Sequence, residues 1–421
     1  MSTFVGFSFC AFATRKRFRS AYTAVSCCSS GQQHLLKPRC AKLIVVMKMK
    51  ITDLKASIKK IPDPRREWGN KRHKLEDILI IGLCTIISCG EDFVDMEEFG
   101  KDREEWLRGF LDLPNGIPDS DTFRRVFERV DPSALAKSLN AWLGNASTAG
   151  GRSVNIDGKT ICGSRGKSKP AYHVVSAGVS ENNITLGELA VDEKSNEITA
   201  IPELLDIIDV EGDIITIDAM GCQRDIAAKI REKKADYVLA VKDNQETLHD
   251  DISDYFDWIE KEQPRDEVVD KWRGRPEKGH GRIETREITI ASAGWLAQKD
   301  NWMDIQTIIR YRCMREIDGT KTTSIRHYIS SFDTNAECFG DIIRGHWSVE
   351  NQLHWMLDVV FREDDARAKK DNSPLNVNIL RKIALSILKN ISVGRLSVRK
   401  KMLKASRDTC FLDQLLFHMQ K

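Results

Sequence analysis

The sequence predicts an α/β protein in which a mixed β-sheet is flanked by helices. Residues 75–142 have the apolar spacing of helices. Between residues 153 and 242 the chain holds five short runs rich in β-branched residues, and helical stretches at 201–208 and 224–233 separate the later runs. Three consecutive strands followed by alternating helices and strands are typical of a mixed sheet covered by helices.

The first 46 residues form a basic leader with no acidic residue and no sustained period. Residues 1–60 hold twelve Lys or Arg and one acid, Asp53, so a local charge of +11 leaves −8 for the rest of a chain whose net charge is +3. Such a leader is typical of an organellar transit peptide, of a disordered tail, or of translation begun upstream of a true start at Met47 or Met49. We favour the last interpretation and assign residues 1–50 to the leader.

Composition excludes several classes of protein. A chain of 421 residues with 41% hydrophobic and 30% charged content predicts a globular protein of two or three domains. The apolar runs at 43–47 and 78–87 are shorter than the roughly 20 residues that span a bilayer. Eleven cysteines form no CxxC pair and no zinc spacing, which predicts reduced thiols. We therefore expect a cytoplasmic protein without a membrane segment.

Residues 51–148 are predicted to form an N-terminal helical domain. Apolar side chains at 75, 78, 79 and 83 share one helical face. Asp121 with Thr122 is expected to cap a later helix, which the Asp-Pro pair at 131–132 would end.

Two aspartates end strands in the predicted sheet. Asp157 closes the first strand and Asp218 the fourth, and a glycine that lets the chain turn follows each within three residues. A lone Asp at a strand end is usually a turn former or a helix cap. Two of them on neighbouring strand ends repel each other unless a cation lies between them.

The stretch 343–365 supplies a third candidate acid. Apolar residues at 349, 353, 356 and 360 predict a helix with one buried stripe. At about 100° per residue, His346, Glu350 and His354 stack on the other face with Asp358 at its edge. Taken alone, the stretch also fits a solvated amphipathic helix.

Three later acids, at 363–365, compete with Glu350 for the third position. Arg362 and Arg367 flank them, so surface ion pairs are expected to neutralise them without a metal. Asp157, Asp218 and Glu350 therefore form the predicted catalytic and metal-binding set. Carboxylate oxygens suit Mg²⁺ or Mn²⁺, and two such ions about 4 Å apart promote phosphoryl transfer, so the pattern indicates phosphodiester chemistry.

Basic residues are the candidate phosphate contacts. Charged hairpins are most often solvated, but the cluster at 271–286 in the segment 244–331 is expected beside the acidic site, as a phosphate clamp must be. The candidates in this cluster are Arg273, Arg275 and Arg282, and those outside it are Lys159, Arg165, Lys167 and Lys242.

The motifs NIDGK, TIDAMGCQ, YVLAVKDNQ, HGRIETRE and IRGHWSVENQLHWMLDVVFREDDAR resemble the DDE transposases of bacterial insertion sequences. Within these the chain is similar to the group that includes the H-repeat-associated proteins of Rhs elements. IPDSDTFRRVFERVDP resembles the N-terminal domain that accompanies this group, and the match covers about residues 55–395. The resemblance implies an RNase H-like catalytic domain at 149–393, a β-rich insertion at 244–331 and a C-terminal tail at 394–421. It also implies Asp157, Asp218 and Glu350 as the acidic triad.

The last motif departs from related transposases, which carry Tyr, Arg, Glu and Lys along this helix. Ile343 stands at the Tyr position, His346 at the second Arg and Leu357 at the Lys, whereas Arg344 keeps its place. We expect Arg344, His346 and also His354 to donate to DNA phosphates.

The resemblance implies a Mg²⁺-dependent DNA transposase that cuts element ends and joins them to target DNA. Its partner would be double-stranded DNA, on which synapsis of two ends implies a dimer. Two alternatives stay open from the residues alone. One is a nuclease or resolvase without strand joining, and the other is an inactive relic that only binds DNA and represses transposition.

Overall fold

The computed structural model describes residues 51–66, 71–144, 150–166, 170–181, 184–191, 197–264, 268–279, 281–391 and 393–417. The predicted leader at 1–50 and Lys167 lie outside these ranges. Across them, ten strands pair mostly antiparallel and helices flank them, which confirms the predicted mixed α/β fold. A search of the same ranges finds no helix with the length and apolar content of a membrane span. Contacts divide the described chain into two compact units, 51–238 with 341–417, and 239–340.

Helices α1 to α6 precede the first strand. They are α1 (Ile51–Ile58), α2 (Leu75–Ile87), α3 (Phe93–Asp102), α4 (Glu104–Arg108), α5 (Ser120–Arg129) and α6 (Pro132–Gly144). The cap of α5 is Asp119 rather than the predicted Asp121, because the Asp119 carboxylate accepts from the Thr122 backbone N–H at 2.6 Å. Pro132 begins α6, where its missing N–H has no helical partner to lose.

Five strands follow at the positions that their β-branched runs predict. They are β1 (Ser153–Thr160), β2 (His173–Val179), β3 (Ile184–Val191), β4 (Ile214–Ile217) and β5 (Asp236–Val241), in the order β3-β2-β1-β4-β5. Strands β1, β2 and β3 pair antiparallel, and β4 runs parallel to β1 with Asn155 opposite Thr216. Between them lie α7 (Glu197–Ile207) and α8 (Arg224–Glu232). The parallel β1 and β4 therefore bring Asp157 and Asp218 to one edge.

The second unit contains a long helix and an antiparallel set of strands. Its elements are α9 (Glu246–Glu262), β6 (Val269–Arg273), β7 (Glu277–Gly279), β8 (Arg282–Ser292), β9 (Thr307–Ile317) and β10 (Thr320–Ser330). The strands pair in the order β10-β9-β8-β6, and β7 also pairs with β8. Helix α9 was not predicted; it buries an apolar stripe at 248, 252, 255, 256 and 259.

The helix that carries Glu350 changes its winding at that residue. Helix α10 (Ala336–Val349) is followed by two π-helical segments, Glu350–His354 and Met356–Val360, so the α-helix predicted through residue 360 is wrong beyond 349. A π-helix bonds i to i+5, so each turn holds more residues and the α-helical spacing no longer keeps one face. Leu357 is consequently fully buried, whereas Met356 of the predicted stripe is only partly buried.

Three helices complete the first unit: α11 (Ser373–Asn390), α12 (Val398–Ala405) and α13 (Thr409–Phe417). Helix α11 is buried along almost its whole length and packs among the N-terminal helices. The side-chain amide of Asn376 donates to the carbonyls of Phe127 and Val130, at 2.8 and 2.9 Å, and so satisfies the end of α5. The segment predicted as a C-terminal tail holds α12 and α13, whose apolar residues join the same core.

Candidate active site

Asp157 lies inside β1, not at its end as predicted. The strand continues to Thr160, and Gly158 follows the strand path instead of forming a turn. A glycine is required here because the side chains of Glu197 and His173 approach the backbone closely. A Cβ atom at 158 would lie 2.4 Å from Glu197 Oε1 and 2.6 Å from His173 Nε2. Residue 158 therefore leaves room for a buried acid next to Asp157.

The carboxyl group of Asp157 lies among other negative charges. Burial, together with the charges of Asp218, Glu197 and Glu350, raises its pKa to about 7, against a hydrogen bond from the Gly158 N–H. His354 Nδ1 lies 3.7 Å from Asp157 Oδ2. The three acids selected from the sequence thus share one electrostatic environment.

Asp218 and Glu350 occupy the ends of neighbouring elements. Asp218 directly follows β4, and its Oδ1 accepts from the Met220 N–H at 3.1 Å. Glu350 is exposed at the first position of the π-helical segment. Within the described ranges no three His, Cys, Asp or Glu side chains stand in an arrangement that could hold a metal ion. The donor type nevertheless suits Mg²⁺ or Mn²⁺, since hard cations take carboxylate oxygens.

A buried pair of side chains beside Asp157 was not predicted. His173 Nε2 lies 2.5 Å from Glu197 Oε1, and His173 Nδ1 lies 2.9 Å from the hydroxyl of Thr160. Glu197 and His173 are both buried, and Glu197 begins α7, four residues before the predicted helix start. The available signal was the glycine within NIDGK, because a glycine inside a strand often marks close approach by another group.

Lys159, which we expected to contact DNA phosphates, is held inside the protein. Its ammonium group donates to Asp358 at 2.6 Å and to Glu363 at 3.0 Å, and its side chain is only 10% exposed. The phosphate contact predicted for Lys159 is therefore replaced by a buried ion pair. The spacing of the sequence gave no sign of this, because the partners are 199 and 204 residues away.

The expectation that surface ion pairs neutralise Glu363 is wrong. Glu363 is fully buried; its Oε1 accepts from Asn378 at 2.6 Å, and Arg381 lies 3.8 Å away. The charges of Lys159 and Arg381 hold the pKa of Glu363 below its usual value despite the cost of burial. Asp365, in contrast, forms the expected exposed pair with Arg362 at 3.1 Å.

The two histidines proposed as phosphate donors also face the protein interior. His346 Nδ1 lies 3.0 Å from the hydroxyl of Thr216. Burial lowers the pKa of His354 to about 4, so this imidazole is neutral at pH 7, and its buried Nε2 has no hydrogen-bond partner among the described residues. His354 therefore presents no positive charge to DNA at pH 7, and His346 contacts a hydroxyl of the protein itself.

Comparison with protein families identifies the chain. A model described as "Transposase DDE domain" matches residues 146–387, and one described as "DDE_Tnp_1-associated" matches residues 55–143. The chain belongs to the DDE transposase family. Members of this family normally use a divalent metal.

Relatives of this transposase are similar over most of its length. The protein named "Putative transposase YncI" from Escherichia coli O157:H7 is 38% identical over 380 residues, which cover 87% of this chain and 95% of the relative. "H repeat-associated putative transposase YhhI" from Escherichia coli strain K12 is 37% identical over 377 residues, which cover 87% of this chain and 98% of the relative. A solved piggyBac transposase synaptic complex with hairpin DNA matches 91% of this chain and 82% of its own, with 12% identity and a TM-score of 0.40.

The remaining candidate DNA contacts of this transposase lie on its surface. Arg165, Lys242 and Arg344 are exposed. In the second unit Arg275 is exposed, Arg273 pairs with Glu287 at 3.3 Å, and Arg282 pairs with Glu284 at 2.7 Å. A cavity of about 260 Å³ beside Arg273 is lined by four cationic side chains and Trp272 together with two glutamates. Acids on β8 and α9 therefore offset part of this basic charge.

Proposed function

We propose that this transposase cleaves DNA at the ends of its insertion sequence and joins those ends to target DNA by metal-dependent phosphoryl transfer. The observation that carries the proposal is the environment of Asp157. The half-buried carboxylate of Asp157 faces the charges of Asp218 and Glu350, and burial together with this repulsion raises its pKa to about 7. Such an arrangement is typical of a site that binds cations.

Asp157, Asp218 and Glu350 would hold Mg²⁺ or Mn²⁺. Bound ions would supply charge stabilisation for the attacking and leaving oxygens of the phosphodiester. Asp157 must be ionised to act as a ligand, so protons compete with the cation below about pH 7. Neutral His354, beside Asp157, adds no positive charge that would oppose the cation.

DNA would be bound by exposed cations, each contributing a sequence-independent contact to phosphate. The candidates that remain are Arg165, Lys242, Arg273, Arg275, Arg282 and Arg344. Lys167 stays a prediction from the sequence alone. Joining two element ends to one target requires both ends in one complex, so we expect a dimer on DNA.

The decisive experiment incubates the protein with duplexes that carry the DNA flanking its gene, in Mg²⁺ or Mn²⁺. We expect cleaved and joined products. Glu350→Gln and Asp157→Asn should lower the cleavage rate by roughly 10³-fold or more while the Kd for DNA stays within twofold. Asp364→Asn, a change to a nearby exposed acid, is the matched control and should keep wild-type cleavage.

The outcomes separate the alternatives. Cleavage without joined products would indicate a nuclease, and DNA binding without cleavage would indicate an inactive relic. Full activity of Glu350→Gln would overturn the assignment of the third acid.

A second experiment tests the basic cluster at 271–286. Changing Arg273, Arg275 and Arg282 together to Ala should weaken binding alike for every DNA sequence and reduce the salt slope by about 2–3. Lys321→Ala, an exposed cation on β10 of the same unit, is the control. An unchanged salt slope in the triple variant would mean that the three arginines do not contact DNA and are simply solvated.

A further inference from the structure

Three polar side chains, one on each of β1, β4 and α10, precede the three acids along the chain. Asn155 and Thr216 stand opposite each other on β1 and β4, and each precedes an acid of the site by two residues. His346 precedes Glu350 by four residues on α10. We call Asn155, Thr216 and His346 the polar rung. Both strand residues are only 2% exposed, so their polar atoms depend on each other for hydrogen bonds.

The direction of each hydrogen bond in the polar rung is fixed by its neighbours. The Gly345 carbonyl can only accept, so the group that faces it at 3.3 Å is Asn155 Nδ2. Asn155 Oδ1 therefore faces Thr216, whose hydroxyl donates to it at 2.6 Å. With its one proton used, the Thr216 hydroxyl must accept from His346 Nδ1 at 3.0 Å. The His346 proton consequently resides on Nδ1.

The helix approaches the sheet closely at the same place. A Cβ atom on Gly345 would lie 3.1 Å from the Ser180 hydroxyl, which itself accepts from Asn155 Nδ2 at 2.7 Å. Two consecutive residues of α10, Gly345 through its carbonyl and His346 through its ring, are thus tied to paired residues of β1 and β4. These contacts fix the position of α10 along the two strands and its rotation about its own axis.

Distances along the elements link the polar rung to the acids. Two strand residues advance about 6.6 Å, and four helical residues advance about 6 Å. The two advances are similar, and the charge of Glu350 acts on Asp157, so a helix held at His346 keeps residue 350 within electrostatic range of that acid. The helix winds as α up to Val349 and as π from Glu350, so the polar rung lies in the last regular turn before the acid.

We infer that Asn155, Thr216 and His346 are positioning residues that set the reach of Glu350 toward the metal ligands Asp157 and Asp218. This inference rests on the proposed function. It explains why the positions before the two aspartates hold an amide and a hydroxyl where a buried strand would otherwise carry apolar residues. It also gives His346 a role that differs from phosphate binding.

The test uses Thr216→Val, which removes the hydroxyl at nearly constant volume, in the full-length protein. Mn²⁺ binding without DNA is measured by electron paramagnetic resonance of the free ion, together with DNA cleavage and the Tm. We expect Thr216→Val to weaken Mn²⁺ binding three- to tenfold and to slow cleavage at least tenfold. Thr216→Ser keeps the hydroxyl and should stay within twofold of wild type in both.

A matched control separates positioning from general stability. Thr85→Val removes another buried hydroxyl, which donates to the Ile81 carbonyl at 2.8 Å within α2. It should lower the Tm by about as much as Thr216→Val and leave Mn²⁺ binding unchanged. In a Glu350→Gln background, Thr216→Val should cause no further loss of Mn²⁺ binding, because the ligand that it positions is absent.

Each outcome decides the inference. Wild-type Mn²⁺ affinity in Thr216→Val, or an equal further loss in the Glu350→Gln background, overturns the inference and leaves the proposed function standing. A wild-type protein that neither binds Mn²⁺ nor cleaves DNA overturns the proposed function, and the inference with it.

Discussion

Two clusters of carboxylates meet β1 at positions two residues apart, one at Asp157 and the other at Lys159. Their electrostatics are opposite. Around Asp157 the neighbouring charges are negative, and the pKa of Asp157 rises to about 7. Around Lys159, Asp358 and Glu363 meet a cation, and Glu363 keeps a pKa below its usual value although it is fully buried. The same strand thus contributes Asp157 to an uncompensated group of acids and Lys159 to a compensated one.

The difference separates the groups that hold the fold from those that are available for chemistry. A buried carboxylate costs several kcal/mol unless a partner charge and hydrogen bonds satisfy it. Glu363 obtains these from Lys159, Asn378 and Arg381. The charges that act on Asp157 are those of other acids, so the ionisation of Asp157 costs stability until an external cation binds. Four changes test this contrast.

Removing the charge of Glu363 should have the largest effect. Glu363→Gln leaves Arg381 buried beside a neutral amide and should lower the free energy of unfolding by about 3–5 kcal/mol. The measurement is denaturant unfolding followed by circular dichroism at pH 7. A loss below about 1 kcal/mol would mean that the cluster around Lys159 does not stabilise the fold.

A methyl group at residue 158 should have the next largest effect. The Cβ of Gly158→Ala would meet the Glu197–His173 pair at 2.4–2.6 Å, so we expect a loss of about 1–3 kcal/mol on unfolding. Gly279→Ala is the control, since no atom lies within 4 Å of a Cβ there. Equal stabilities of the two variants would argue against a tight contact beside Asp157.

Neutralising Asp157 should stabilise the metal-free protein. The folded-state pKa of about 7 lies above the ordinary value near 4, so the cost of ionisation develops as pH rises from 4 to 7 and is complete above 7. Because the side chain is partly exposed, we expect Asp157→Asn to gain about 1–2 kcal/mol at pH 8. Thermal unfolding in chelator should show this gain shrinking toward pH 4. A variant less stable than wild type at pH 8 would contradict the contrast between the clusters.

The smallest effect is expected at the exposed pair. Asp365→Asn removes the contact with Arg362, in which both side chains are more than half exposed. Water screens such a pair, so the Tm should change by no more than about 1 °C. A larger shift would show that this acid belongs with the buried cluster around Glu363.

Much of the fold could be predicted because its signals are local. Strands β1 to β5 lie within a few residues of their β-branched runs, and the acids at 157 and 218 follow directly from the sequence. The end of β1 was placed too early, because its last residues, Gly-Lys-Thr, lack the apolar character of a buried strand. The winding of 350–360 could not be predicted, since the residues of that stretch also fit an α-helix.

The sequence by itself determined the strand positions, the identity of the candidate acids and the family, since each depends on residue types within a short window. The tertiary structure alone decided which charges compensate one another. Lys159 meets Asp358 and Glu363 across 199 and 204 residues, and Asn155 meets Gly345 across 190. Such contacts depend on packing of distant elements, and a change of helical winding or a missing Cβ alters them. Periodicity along the chain carries no information about these distances.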